Sequence, residues 1–135
     1  MTPVQLPNNA NYFQINSIDL HPEQIWLKLG MIDPVENIQY EINLNGLLFL
    51  ELSKTTGDED GIYQIGDIEV THSTNPGTVL TRLQYGFLNP SHSECFHLRI
   101  DGGLRLDVVS TSFSLTPVNA EGSTFRPRIY PPTKP

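Results

Sequence analysis

The stretch Cys95-Phe96-His97-Leu98-Arg99-Ile100-Asp101-Gly102-Gly103-Leu104-Arg105-Leu106-Asp107-Val108 decides the fold class. Apolar side chains fall on alternate residues on both sides of a Gly-Gly pair, a period of two that belongs to half-buried β-strands. A two-residue loop at Gly102-Gly103 sets Ile100 against Arg105 and Leu98 against Asp107, mixing core and solvent faces. A three-residue loop, with Gly103 left-handed, matches Ile100 with Leu104, Leu98 with Leu106 and Phe96 with Val108. That register is the expected one, and it brings Arg99 opposite Arg105 on the outer face.

Outward from this hairpin the period of two persists. Ile25, Leu27, Leu29 and Met31 share one face, and so do Thr81, Leu83, Tyr85 and Phe87. Strands are expected near 12–20, 24–31, 38–44, 47–53, 62–72, 79–87, 95–101 and 104–115. No window carries an apolar stripe at helical spacing; Pro22 to Gln24 has room for one turn only. Asn45-Gly46 predicts a type I′ hairpin turn, because both central residues of that turn need positive φ. It pairs Leu44 with Leu47, Ile42 with Phe49 and Tyr40 with Glu51. Leu48, Leu50 and Leu52 then form a second apolar face that needs a cover. Phase changes predict bulges near Asn16-Ser17 and Val109-Ser110. The expectation is an all-β antiparallel sandwich of about eight strands, with a closed or partly open β-barrel as the alternative.

Eleven prolines and ten glycines suit the many turns such a fold requires. Residues 1–118 read as a single domain, and 119–135 as a Pro-rich, weakly basic tail that ends in Arg126-Pro127-Arg128-Ile129-Tyr130 and the five residues after it. The formal net charge is −7, and all of the excess acid lies in residues 1–118. An acidic body repels phosphate backbones, so no nucleic-acid partner is expected. No apolar run reaches the ~20 residues a membrane-spanning helix needs, and Met1 to Asn11 shows no secretory pattern. Cys95 is the single cysteine, so a disulfide framework is excluded and a cytoplasmic, reducing setting is expected.

Chemistry-bearing residues are sparse. His92, Cys95 and His97 offer imidazole and thiolate ligands suited to zinc, but a fourth ligand is missing unless distant His72 or Glu94 supplies it. Asp58, Asp60 and Asp67, with Gly61 between, echo a calcium loop, yet Thr56 stands where the leading carboxylate belongs and strands flank the segment. The simpler readings are a buried thiol beside exposed histidines, and a solvated acidic turn; no metal and no cofactor are expected. There is no G-x-S-x-G nucleophile elbow, and no Gly-rich phosphate loop opening onto a helix. The facing Arg99 and Arg105 call for counter-ions, which Asp101 and Asp107 on the same face supply, or for an acidic partner.

Three readings of function follow. The first is a non-catalytic interaction module that binds a protein partner or itself as a homodimer, with Trp26, Arg99, Arg105 and Tyr130 as contact residues. It rests on the outward-facing Trp26 and Val109 and on the aromatic tail. The second is a small-ligand binder lined by Trp26, Tyr40 and Tyr85. The third is a metal-assisted enzyme using His92, His97 and nearby carboxylates.

Overall fold

The structure, a computed structural model, describes residues 2–21, 23–54, 63–83 and 93–118. In chain order the elements are β1 (Thr2–Pro3), a 3₁₀ turn (Ala10–Tyr12), β2 (Gln14–His21), β3 (Trp26–Asp33), β4 (Ile38–Lys54), β5 (Tyr63–Gln64), β6 (Asp67–Ser73), α1 (Pro76–Arg82), β7 (Cys95–Asp101) and β8 (Leu104–Val118). The strands form one open antiparallel sheet in the order β1-β6-β7-β8-β4-β3-β2-β5. The all-β antiparallel expectation therefore holds.

Two long strands organise this sheet. The first half of β4 pairs with β3, and the whole of β4 pairs with β8, from Gln39 opposite Val118 to Lys54 opposite Leu104. The sheet is strongly curled. β5 lies beside β2 and β6 lies beside β7, so six inter-strand spacings separate them, ~29 Å along a flat sheet. Only Ile65 and Gly66 connect them, a reach of about 11 Å. The Ile65 N–H donates to the Phe13 carbonyl at 3.0 Å, which holds this crossing against β2. The curl encloses a single main core in which Ile15, Leu27, Leu29, Met31, Ile42, Leu44, Val70, Leu98, Ile100, Leu106 and Val108 are all buried. Each fully buried aliphatic side chain contributes about 1.5–3 kcal/mol of transfer free energy.

Several local expectations are corrected. Asn45-Gly46 is not a hairpin turn; β4 runs through it without reversing. Gly46 does adopt the positive φ that the dipeptide favours, at 67°, but as an irregularity within a strand. The Gly46 and Leu47 N–H groups both donate to the Ile25 carbonyl, at 3.0 and 3.2 Å. The β4–β8 register then slips between Leu47 and Phe49, opposite Ser110 and Val109. The bulge expected near Val109-Ser110 is thus located at that level, with Leu48 of β4 as the extra residue. Leu44 accordingly faces Leu27 and Phe113 rather than Leu47. The bulge near Asn16-Ser17 is present, as a register shift between Ile15 and Ser17. Ile25 lies outside β3 with φ 56° and is half exposed, so it does not share the face of Leu27 and Leu29.

The largest correction is α1, which occupies part of the strand expected at 79–87; residues 84–87 of that strand lie outside the described residues. Asn75 caps the helix by accepting the Thr78 N–H at 3.1 Å, and Pro76 begins it, where a missing N–H costs nothing. Val79, Leu80 and Leu83 recur at helical spacing. They pack with Cys95, Val109, Leu48 and Phe49 on the outer face of the sheet. The cover over Leu48 and Phe49 is therefore a helix of the same chain, while Leu52 stays about half exposed. Leu50 is not part of that surface; it packs with Leu47 against the main core.

Candidate functional site

Two places collect the residues singled out from the sequence. One is the outer face of β6, β7 and β8 beside α1. The β7–β8 hairpin closes two residues away from the expected register, with Asp101 opposite Arg105, Ile100 opposite Leu106 and Arg99 opposite Asp107. Arg99 and Arg105 are consequently not opposed. Arg105 lies 3.7 Å from Asp101, and the Arg99 Nε donates to Asp107 Oδ1 at 3.3 Å. The same Asp107 oxygen takes the His97 Nε2 at 3.0 Å in a largely buried pair. On β6, Glu69 stands opposite Arg99 and Thr71 opposite His97.

An open cleft of about 380 Å³ lies here, between α1 and the sheet. Arg82 and Leu83 line it from the helix side, and Glu69, His97, Arg99 and Asp107 from the strands. Sequence reasoning missed Arg82 because its segment was read as a strand. Glu69 is exposed and Thr71 half-buried on the same face.

Cys95 shares the outer face with His97 but is fully buried under α1. Burial, and secondarily the nearby Glu94 carboxylate, push its thiol above the usual range, which suppresses the thiolate that metal binding and nucleophilic attack both require. Asp67 is exposed and pairs in register with Asp101. His92, Asp58, Asp60, Tyr85 and Tyr130 lie outside the described residues. Among the described residues no group of three or more His, Cys, Asp or Glu side chains is placed to hold a metal ion, and no helix is long and apolar enough to cross a membrane.

The second place is the edge formed by β2, next to Trp26. β5 pairs with β2 only at Gln14 and Ile15. Among the described residues no strand lies along the outer side of residues 17–21. Two hydrogen bonds determine which groups face outward there. The Phe13 carbonyl points toward β5, and the bulge at Asn16 shifts that parity from odd to even residues. Independently, the Ile25 carbonyl points toward β4, so Trp26, Lys28 and Gly30 of β3 bond instead to His21, Asp19 and Ser17. Both routes leave Ile18 and Leu20 with backbone N–H and C=O groups directed away from the sheet.

Around this edge the side chains are well ordered by their neighbours. Trp26 stacks on His21 with ring centroids 3.8 Å apart, and its indole N–H donates to Gln24 Oε1 at 2.8 Å. The Lys28 ammonium lies 5.7 Å from the indole ring, a cation–π geometry. His21 Nε2 lies 3.1 Å from Asp19 Oδ1. Leu20 and Ile25 are both nearly half exposed. Tyr40, by contrast, stacks on Phe13 at 5.2 Å and packs against the main core, so Trp26 and Tyr40 do not line one pocket. No protein-family model matches the chain, and no curated protein or solved structure shows significant similarity to it.

Proposed function

We propose that this chain is a non-catalytic, self-associating β module whose contact surface is the β2 edge together with Trp26. One observation carries the reading: among the described residues no strand pairs with the outer side of Ile18 and Leu20, and the Leu20 and Ile25 side chains there are exposed. Free strand edges are templates for pairing with another chain. α1 covers Leu48 and Phe49 of the other apolar surface and leaves Leu52 exposed, and the edge rather than the outer face of β4 is taken as the contact. Trp26 is retained as a contact residue, while Arg99 and Arg105 act within the chain through Asp107 and Asp101.

The accompanying fold reading is a sandwich whose two layers share β4 and β8. Its support is the irregularity at Gly46 to Leu48, because strands that pass from one layer to the other do so through bulges or bends. A cytoplasmic setting is supported by the lone, buried cysteine, and a protein rather than nucleic-acid partner by the net charge of −7. A second reading is small-ligand binding in the cleft between α1 and Arg99. Sedimentation velocity over a concentration series tests the main reading. A reversible dimer at tens of micromolar is expected, and a monomer throughout that range refutes it.

A further inference from the structure

We infer that Asn45 is a site of spontaneous covalent modification, losing its side-chain amide through a cyclic imide formed with Gly46, and that Ile25 governs how often it reacts. Of all the asparagines in the chain, only Asn45 precedes a glycine. The reaction needs an accessible side-chain amide, an unhindered nitrogen after it, and freedom in the backbone between them. Asn45 is exposed, and among the described residues nothing bonds its side chain. Gly46 has no Cβ to shield its nitrogen. The third requirement is the one the fold withholds. Asn45 is paired on both sides, with Trp26 of β3 and Ser112 of β8. Its neighbour's N–H donates to the Ile25 carbonyl at 3.0 Å, and the Leu47 N–H donates to the same oxygen at 3.2 Å. Ring closure needs a ψ far from the ~+135° of an antiparallel strand, and a Gly46 nitrogen released from its acceptor. The closed strand is therefore inert, and the reaction runs from molecules in which the Ile25 carbonyl has lifted away.

Ile25 is built to lift. Its φ of 56° places a β-branched residue in left-handed backbone, where such a side chain is a true outlier. The side chain is about half exposed, so little packing holds it down. Opening breaks the two bonds to its carbonyl and returns the strain, which puts this turn among the parts of the molecule that open locally, below the free energy of global unfolding.

In the lifted state the Gly46 nitrogen attacks Cγ of Asn45. The N–Cγ bond forms as the Cγ–Nδ2 bond breaks, and the Gly46 amide proton leaves with the side-chain nitrogen as ammonia. Water then opens the imide at either carbonyl, giving aspartate at position 45 or its β-linked isomer, which carries an extra methylene in the backbone. Nothing is oxidised or reduced, and water is the co-reactant. Either product adds a carboxylate to a chain whose formal net charge is −7, opposite Trp26 and on the face that holds Lys28. The β-linked isomer also lengthens β4 next to the register shift between Leu47 and Phe49.

The test incubates the intact protein at neutral pH, folded and in strong urea, and follows conversion at Asn45 by peptide mapping. The folded rate is expected to lie well below the unfolded rate and to respond little to low urea, since lifting one turn exposes little surface. Glycine takes up left-handed backbone without strain, so Ile25→Gly is expected to slow the folded reaction about fivefold. It should leave the unfolded rate unchanged, because in an open chain Ile25 is remote from Asn45. Ile25→Asn, which also tolerates that backbone, repeats the comparison in case the glycine variant folds poorly. Equal rates in the folded and unfolded protein overturn the inference, because the turn then guards nothing. So does a folded rate that climbs in urea with the slope of global unfolding, or an absence of conversion in the folded protein. A folded rate unchanged in both Ile25 variants overturns it as well, since the opening then lies elsewhere.

Discussion

Removing the cap of α1 should expose Cys95 to solvent without unfolding the domain. α1 has seven residues, too few to be stable alone in water. It is held by the Asn75 cap and by Val79 and Leu80, both fully buried against Cys95 and Val109. Asn75→Ala removes the Asn75 Oδ1 to Thr78 N–H bond of 3.1 Å, worth about 1 kcal/mol at an N-cap. If α1 lifts as a local unit, the population of the lifted state then rises about fivefold. Labelling of Cys95 by a thiol reagent, under native conditions and with reclosing faster than reaction, reads that population directly. The expected result is a labelling rate about fivefold above wild type that barely responds to low urea, since lifting one short helix exposes little surface. A rate that instead climbs in urea with the slope of global unfolding in both proteins would refute the reasoning. So would a wild-type rate equal to that of a free thiol.

Three further outcomes are expected. Gly46→Ala should lower stability by about 1–2 kcal/mol from the left-handed backbone alone, and by more because the Thr111 side chain fills the space a Cβ would need; urea denaturation measures it. Asp107→Ala should cost about 1–3 kcal/mol, since one largely buried oxygen serves both His97 and Arg99, and a double-mutant cycle with His97→Ala should show coupling. Because burial raises the Cys95 thiol above its ordinary value of 9.0, the folded state holds that proton more tightly than the unfolded chain. The associated stability is complete below that ordinary value and is lost as pH rises through the higher folded value. The wild type should therefore lose more stability above pH 9.0 than Cys95→Ala does, and equal losses in the two proteins would count against it.

Strand faces were the most legible feature because alternation is a local signal. Leu27, Leu29, Met31, Leu98, Ile100, Leu106 and Val108 were all read on the buried side and are buried. Register was not legible in the same way. A slip of two residues in the β7–β8 hairpin leaves every apolar face unchanged, so hydrophobicity does not distinguish Ile100 opposite Leu104 from Ile100 opposite Leu106. Charge does distinguish them. The expected register opposes two arginines, whereas the observed one opposes Arg99 to Asp107 and Arg105 to Asp101. The like-charge pair was evidence against the register that produced it.

The two larger misreadings share one cause: a local motif with two structural uses. Asn45-Gly46 requires positive φ at glycine in a hairpin turn and also in a bulged strand, and only pairing with β3 and β8 decides between them. Asn75-Pro76 opens a turn or caps a helix equally well. Leu83 fits the period of two through Tyr85 and the helical spacing from Val79 and Leu80, so the competing pattern concealed α1. Both errors bear on which apolar surface is covered. The unbroken β4 carries Leu48 and Phe49 onto the outer face, and α1 folds over them. Among the described residues β5 pairs with β2 at Gln14 and Ile15, and Ile65 and Gly66 carry the chain from there across to β6. Ile65 and Gly66 leave β2 at its Phe13 end, and the curl that brings the two ends of the sheet within two residues of each other is what encloses the main core.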